Sequence, residues 1–393
     1  MKRNQSLSAL MLILTFVGIL NIHLTPSIAK LETTPIHKAV SMETLGHALQ
    51  TLVTMPEGPP GAVAVVQQGE KLMVITRGVS NLISGRKILA QDHMRIASTA
   101  KAFSGAAALS LVDLGILSLD DRISTLLPDL PDAWGEVTLR EALNHTSGLP
   151  DFTKNNDFVA AFISDPHKVV SPRQLLSYIK NEDLRFPPGS KYEYSNTDNI
   201  VVGLMCEAAS KMSYEQVLQI YVFDRLGLKK TSLPKGFLMP SSYIRGYEFI
   251  PNEPIEDVST IASGAWSWAS GGIVSTPHDM NQFIRGYVGG RLFNQDVQRQ
   301  QFQFIPGGKS DPPGPGQNSA GLALFQYKTR CGTVFGHTGN IFGYTQFIAA
   351  TPDSSASVVV SINRQLTPEM NLTVFQALEN AEEIAVCQAL GQN

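Results

Sequence analysis

Strand-like patterns lie near both ends of this chain and helix-like patterns fill its middle, and that order restricts the folds open to it. Near the start, Ala62 to Gln67 and Leu72 to Arg77 read as paired strands about the turn Gln68-Gly69-Glu70. Strand signals return only late, at Gly321 to Lys328, Thr333 to His337, Gly343 to Thr351 and Ser357 to Asn363. Their consecutive placement favours antiparallel pairing. Between the two sets lie helical segments at Leu139 to Asn144, Arg173 to Asn181, Asn199 to Lys211 and Tyr214 to Arg225. Two further helices, Thr44 to Val53 and Leu366 to Leu390, flank the whole. The early hairpin is therefore expected to join the late strands in one sheet, with the middle as an inserted lobe. This is an α+β architecture: an antiparallel sheet flanked by helices (about 30–97 and 265–393) and an all-helical lobe (about 98–264). The cleft between such lobes is where a site is sought. The stretch Pro306 to Gly316, rich in glycine and proline, reads as a surface loop.

Composition narrows the partners. A hydrophobic fraction of 43% with 17% charged residues suits a folded chain with a large core, not a disordered one. The net charge is −3 and no basic block interleaves with aromatics, which sets nucleic acid aside. The eight histidines show no metal-ligand spacing, so neither a metal nor another cofactor is expected. The start, Met1-Lys2-Arg3, then an apolar run from Leu7 to Leu20, then Ser27-Ile28-Ala29, has the form of a secretory leader cut after Ala29. The apolar run is shorter than the roughly 20 residues a membrane span needs, so no stable anchor is expected. The mature chain would be secreted or periplasmic. In an oxidising compartment a Cys331–Cys387 bridge is expected, closing a loop of about 56 residues and contributing roughly 4 kcal/mol. Cys206, in an apolar run, reads as a buried free thiol; three free thiols are the alternative.

Chemistry enters at Ser98-Thr99-Ala100-Lys101, a serine and a lysine one helical turn apart at the start of an apolar run to about Leu114. The same S-x-x-K pattern occurs at Ser27, Ser84, Ser177 and Ser232, so spacing alone carries little. Context separates them. Ser27 ends the leader, Ser84 sits in a turn, Ser232 is followed by Pro234, and Ser177 lies on a polar segment. Only Ser98 opens a buried helix, where desolvation can lower the lysine pKa and make it a base for the serine. The bland reading is a helix cap with a solvated lysine.

Two further motifs could complete a site. Tyr194-Ser195-Asn196 precedes a helix and offers a phenol to relay a proton and an amide to hold a substrate. His337-Thr338-Gly339 ends an apolar strand, its glycine allowing close backbone approach. Each occurs once in the chain. Taken singly, the tyrosine reads as packing, the asparagine as a cap and the histidine as a strand residue. His145 is read as structural, and His278-Asp279 after Thr276-Pro277 as a helix start.

The ordered set Ser98-x-x-Lys101, Tyr194-x-Asn196 and His337-Thr338-Gly339 resembles the β-lactamase/DD-peptidase serine hydrolase family, over about residues 40–390. Asn144-His145-Thr146-Ser147-Gly148-Leu149, Pro188-Gly189 and Ser267-Trp268-Ala269 with Gly271-Gly272 support the likeness. Within the family the chain looks most similar to secreted soluble DD-carboxypeptidases, whose disulfide the positions of Cys331 and Cys387 also resemble. The resemblance implies a β-lactamase/transpeptidase-like fold. It also implies acylation of Ser98, Lys101 as base, and Tyr194 as proton shuttle in both acylation and deacylation. Asn196 would hold the substrate amide, and His337, Thr338 and Gly339 would line the opposite wall. The N–H groups of Ser98 and Asn340 would form an oxyanion hole, and Trp268 and Phe158 would shape the pocket.

Two positions depart from the carboxypeptidase pattern. Where those enzymes resemble one another in carrying a carboxylate-binding arginine, this chain has Phe325, with Lys328 and Arg330 the nearby cations. A threonine expected after the glycine is Asn340. The expected partner is therefore a peptide or ester substrate, with β-lactams as possible ligands. DD-carboxypeptidase-like action on D-Ala peptides is the first reading. A family carboxylesterase, a D-amino-acid amidase or a class C-like β-lactamase is the alternative, and an inert binding protein the reading from another class. Oligomeric state is not legible.

Overall fold

The computed structural model describes residues 44–250 and 253–392, and the expected leader, 1–29, lies outside the described residues. The first helix, α1 (Leu45–Thr54), starts where Thr44 can cap it, its hydroxyl accepting from the His47 N–H at 3.3 Å. It buries Leu45, Ala48, Leu49 and Leu52, one stripe at helical spacing. The hairpin β1 (Gly61–Gln68) and β2 (Lys71–Asn81) follows, extended by the short β3 (Arg86–Lys87). The remaining strands of the main sheet come late: β4 (Ile305–Pro306), β5 (Gln317–Ala320), β6 (Phe325–Thr329), β7 (Gly332–Ile341), β8 (Tyr344–Ala350) and β9 (Ala356–Ile362). They form one nine-stranded antiparallel sheet in the order β3-β2-β1-β9-β8-β7-β6-β5-β4. The early and late strands meet in the pairing of β1 with β9, from Ala62 opposite Ile362 to Gln68 opposite Ala356.

Strand alternation assigns residues to the two faces. Ala62, Ala64, Val66, Phe347, Val358, Val360 and Ile362 belong to the cluster under α1 and the last helix, α5 (Leu372–Ala389). Val63, Val65, Tyr344, Ile348 and Val359 belong to the other cluster, with α2 (Ala100–Asp113) and α4 (Pro277–Val288). Because both faces are covered, β8 and β9 are buried throughout and lack the apolar–polar alternation of a strand with one face in water. Helix α2 is buried from Ala100 to Leu111, which explains a sequence apolar on all sides. At Gly105 an added Cβ would lie 2.2 Å from the Ala323 Cβ, so only glycine allows this approach to the 321–324 turn. The helical lobe includes α3 (Asn196–Ser210), Leu139–Leu143 and Asn156–Ser164.

Three expectations are adjusted. The strand read from Gly321 begins only at Phe325, because Leu322 and Ala323 turn away to donate to the Gln301 and Leu143 carbonyls at 3.2 and 2.7 Å. The last helix starts at Leu372, where Asn371 caps the Val374 N–H at 3.1 Å. Helix α3 starts at Asn196, three residues earlier than its apolar pattern. Cys331 and Cys387 are bridged, with Cα atoms 5.1 Å apart, and Cys206 is free and buried. Among the described residues, no helix is long and apolar enough to cross a membrane.

Candidate active site

Ser98 sits in a 3₁₀ turn, Ala97–Thr99, that runs directly into α2. The residue before it, Ala97, has φ +51°, a left-handed conformation costly for a residue with a Cβ. The turn is held from the side by β7. A Cβ on Gly339 would come within 2.5 Å of the Ile96 carbonyl oxygen and 3.0 Å of the Thr99 nitrogen. The glycine of His337-Thr338-Gly339 thus lets the strand lie against the backbone that carries Ser98.

One turn along, Lys101 is fully buried and its Nζ donates three ways: to Ser98 Oγ at 3.0 Å, Asn196 Oδ1 at 2.8 Å and the Ser270 carbonyl at 2.8 Å. Burial lowers its pKa to about 7 and outweighs Asp151, Asp198 and Asp311, which pull the other way. A lysine so poised can lose and regain a proton near neutrality. Its Nζ also lies 5.1 Å from the Tyr194 ring centroid. The Tyr194 hydroxyl is buried without a well-formed hydrogen bond. Burial pushes this phenol well above its ordinary range, and its contact with Ser98 opposes that shift. It therefore stays protonated, able to donate when a better acceptor arrives.

Asn196, first residue of α3, is fixed at both ends of its amide. Its Oδ1 accepts from Lys101, and its Nδ2 lies 3.1 Å from Asp151 Oδ2 and 3.3 Å from Thr153 Oγ1. Behind Tyr194, the His145 ring stands 4.5 Å away, and its Nδ1 is 2.7 Å from Asp198, whose other oxygen accepts from Ser147. Burial pushes the Asp198 carboxyl well above its usual range and, with Lys101, lowers His145 to about 3.

On the opposite wall, His337 is fully buried, with Nδ1 2.6 Å from the Thr338 carbonyl and Nε2 unpaired. Burial, then the charge of Lys101, lowers its pKa to about 3, so it is a neutral ring at working pH. Phe325 is 1% exposed and packs edge-on against it, ring centroids 5.0 Å apart, with Tyr194 6.5 Å from both. Neither nearby cation replaces an arginine there: Lys328 is exposed, and Arg330 pairs with Glu383 at 3.2 Å. Asn340 Oδ1 accepts from Thr345 at 2.7 Å, which orients its side chain away from a substrate role.

The 306–316 loop, expected on the surface by composition, closes over this wall. Ser310 is buried with its hydroxyl 2.6 Å from that of Thr338, and both donate to the Pro312 carbonyl, at 3.0 and 2.7 Å. Asp311 stays accessible yet stands in a concave region, so desolvation, then Glu369, raises its carboxyl. Trp268 does not shape the pocket: it is a core residue against Gly203 and Tyr214, and Trp266 takes the pocket position with Phe158. Asp151, Thr153, Asp198 and Ser310 lie outside the three sequence motifs. Only Asp198 had a local signal, as an acid in the first turn of a helix. A second cavity, of about 270 Å³, lies among Gln67, His278 and Arg285 and shares none of these residues.

The chain matches the Beta-lactamase family model over residues 49–381. It is 24% identical to penicillin-binding protein 4* of Bacillus subtilis over 335 residues, covering 81% of this chain and 71% of that protein. It is 23% identical to protein flp of Staphylococcus aureus, covering 79% of this chain and 61% of that protein. Among solved structures it is similar to a D-stereospecific amidohydrolase from Streptomyces sp., with TM-score 0.73 and 26% identity over 86% of this chain and 97% of that one. The D-amino acid amidase of Ochrobactrum anthropi SV3 matches with TM-score 0.77 and 23% identity, over 88% and 97%.

Proposed function

The chain belongs to the β-lactamase family of serine hydrolases, and from that premise we propose that it cleaves amides or esters lacking a free carboxylate beside the scissile bond. Ser98 Oγ attacks the carbonyl carbon while neutral Lys101 takes its proton. The N–H groups of Ser98 and Asn340 hold the oxyanion. Collapse breaks the bond to the leaving group, which takes a proton from Tyr194, and Lys101 reprotonates Tyr194. Water then attacks the acyl-Ser98 ester with Tyr194 and Lys101 as base, returning the serine. Asn196 holds the substrate amide.

The observation that carries the substrate reading is the Phe325–His337 pair. A carboxylate needs a charge-assisted partner. Here Phe325 sets an apolar ring against the neutral His337 imidazole, and the Asn340 side chain is tied to Thr345. The similarity to the Streptomyces amidohydrolase and the Ochrobactrum amidase supports D-amino-acid amides or related esters as the substrate class. DD-carboxypeptidase action, the first reading from sequence, becomes the second one, supported by the similarity to penicillin-binding protein 4*.

The test has two parts. Fluorescent penicillin or an activated ester should acylate the wild type and leave Ser98→Ala unlabelled; labelling that survives the substitution would remove the nucleophile assignment. D-alaninamide and p-nitrophenyl butyrate should then be hydrolysed with higher kcat/KM than a diacyl-Lys-D-Ala-D-Ala peptide. The reverse order would return the chain to the carboxypeptidases.

A further inference from the structure

Helix α4 carries two stripes. Met280, Phe283, Ile284 and Tyr287 pack into the core. His278, Asn281, Gln282 and Arg285, spaced i, i+3, i+4 and i+7, form a polar stripe beside them. That stripe meets the end of the sheet: with Gln67 of β1, Ser354 of the β8–β9 turn and Arg291 past the helix end, it lines a cavity of about 270 Å³. Leu72 adds an apolar edge, and among the described residues no carboxylate lines the cavity. It is separate from the catalytic site. On β8, Gln346 lies opposite Gly339, and the strand ends at Ala350, about 13 Å further on at strand rise. Strands β9 and β1 then add two strand spacings, each of about 4.8 Å.

One end of the cavity is cationic. Arg285 is fixed to the β8–β9 turn twice: its Nε and Nη2 donate to the Ser354 carbonyl, each at 3.3 Å, and its own carbonyl accepts from Ser354 Oγ at 3.0 Å. These partners are neutral, so they set the direction of the guanidinium and leave its charge unmatched. Arg291 is exposed, and neither arginine is ion-paired among the described residues. The acids nearby are engaged elsewhere. Asp279 accepts from the Lys230 N–H and the Thr231 hydroxyl at 2.8 and 2.9 Å and lies 3.8 Å from His278. Asp353 accepts from the Thr351 and Ser355 hydroxyls of its own turn, at 2.5 and 2.8 Å. In a chain of net charge −3, two unpaired guanidiniums on one recess are a local excess of positive charge that favours an anion.

The other end is polar without a fixed charge. His278 stands two turns from Arg285, about 10 Å along the helix axis, so a single small anion does not span both. The Gln282 and Gln67 amide nitrogens donate to the Leu226 and Gly69 carbonyls. Each glutamine therefore keeps its Oε1 to accept from a hydroxyl. Asn281 is covered and tied through Oδ1 to Ser357 at 2.6 Å, so it forms the floor and makes no ligand contact. The volume lies just under the range of drug-sized sites. A charged end, a hydroxyl-accepting end and that size together describe a small polyhydroxylated anion.

We propose that this recess is a second binding site, for a sugar-sized polyol bearing a phosphate or carboxylate. Arg285 and Arg291 take the charge, and Gln67, Gln282 and His278 take the hydroxyls. The test is calorimetric titration of the full chain with glucose 6-phosphate, glucuronate, glucose and inorganic phosphate, at about 0.15 M salt so that diffuse surface attraction is screened. At least one anionic sugar should bind about tenfold or more tighter than both glucose and inorganic phosphate; which of the two does so distinguishes phosphate from carboxylate. Arg291→Ala and Arg285→Gln should each weaken that binding about tenfold, with circular dichroism and ester turnover as in the wild type. Arg291, exposed and unpaired, keeps the test decisive if Arg285→Gln disturbs the turn. Ser98→Ala should bind as the wild type does. Failure of both anionic sugars to bind, equal binding of inorganic phosphate, affinity untouched by Arg291→Ala, or competition with an ester substrate would overturn the site.

Discussion

The two faces of the sheet are built from the same kinds of residue and put to opposite uses. Under α1 and α5, one face is closed by Leu45, Leu49, Val360, Ile362 and Leu378 and stapled by the Cys331–Cys387 bridge. A deeply buried acid there, Glu382, has its carboxyl pushed well above the ordinary range by burial and so avoids a stranded charge. The face under α2 merges with the helical lobe and buries Lys101, Asp198, His145 and His337 within a few side chains of one another. One face stores stability; the other spends some of it on groups whose ordinary charge states are disfavoured there. Function sits where the packing rules are strained, at Ala97 before the nucleophile and His145 behind the tyrosine, both at positive φ.

Substitutions on the two faces should therefore separate activity from stability. The largest effect is expected for Lys101→Met: a loss of about 10²–10⁴ in kcat/KM, the usual worth of a positioned base, together with a gain in stability. The sign follows from the lysine pKa, lowered from 10.5 to about 7 by folding. Between those values the unfolded chain binds more protons, so wild-type stability rises with pH there. The Tm advantage of Lys101→Met should be greatest at or below pH 7 and shrink toward pH 10; a constant difference would mean that Lys101 is not buried as a charge. Next, wild-type kcat/KM should fall about tenfold per unit below pH 7, the working base being neutral lysine, and His337 and His145, both near 3, should add no step between pH 5 and 8.

On the quiet face the effects should reverse. Leu378→Ala should cost about 2–5 kcal/mol by chemical denaturation and leave kcat unchanged below its melting temperature. Cys331→Ser with Cys387→Ser should cost about 2–4 kcal/mol, again without a change in kcat. A clear loss of kcat in either would show the two faces to be coupled. The smallest change is expected from Phe325→Arg: a severalfold shift of the peptide-to-ester kcat/KM ratio toward the D-Ala-D-Ala peptide, at some cost in stability for a residue 1% exposed.

What the sequence disclosed followed the reach of its signals. Periodicity exposed the elements that repeat a local pattern, such as α1, β1 and β9. Three short motifs marked Ser98, Lys101, Tyr194, Asn196 and His337, which the fold brings together. Spacing could not show Asp151 and Thr153 holding the Asn196 amide, because that contact joins a loop to a helix start 45 residues on. Nor could composition show that a glycine- and proline-rich loop would bury Ser310 against Thr338. Of two neighbouring tryptophans, only packing decides that Trp266 faces the pocket and Trp268 the core.

The pairing of β1 with β9 also has a consequence in time. Ala62 finds its partner only at Ile362, so the middle of the sheet closes after nearly the whole chain has been synthesised. Until then the β1–β2 hairpin is an isolated pair, marginal in water, with an apolar edge waiting on the last strand. Contacts so distant in sequence close slowly. A growing or partly made chain thus has no finished sheet to lock it until its last strand arrives.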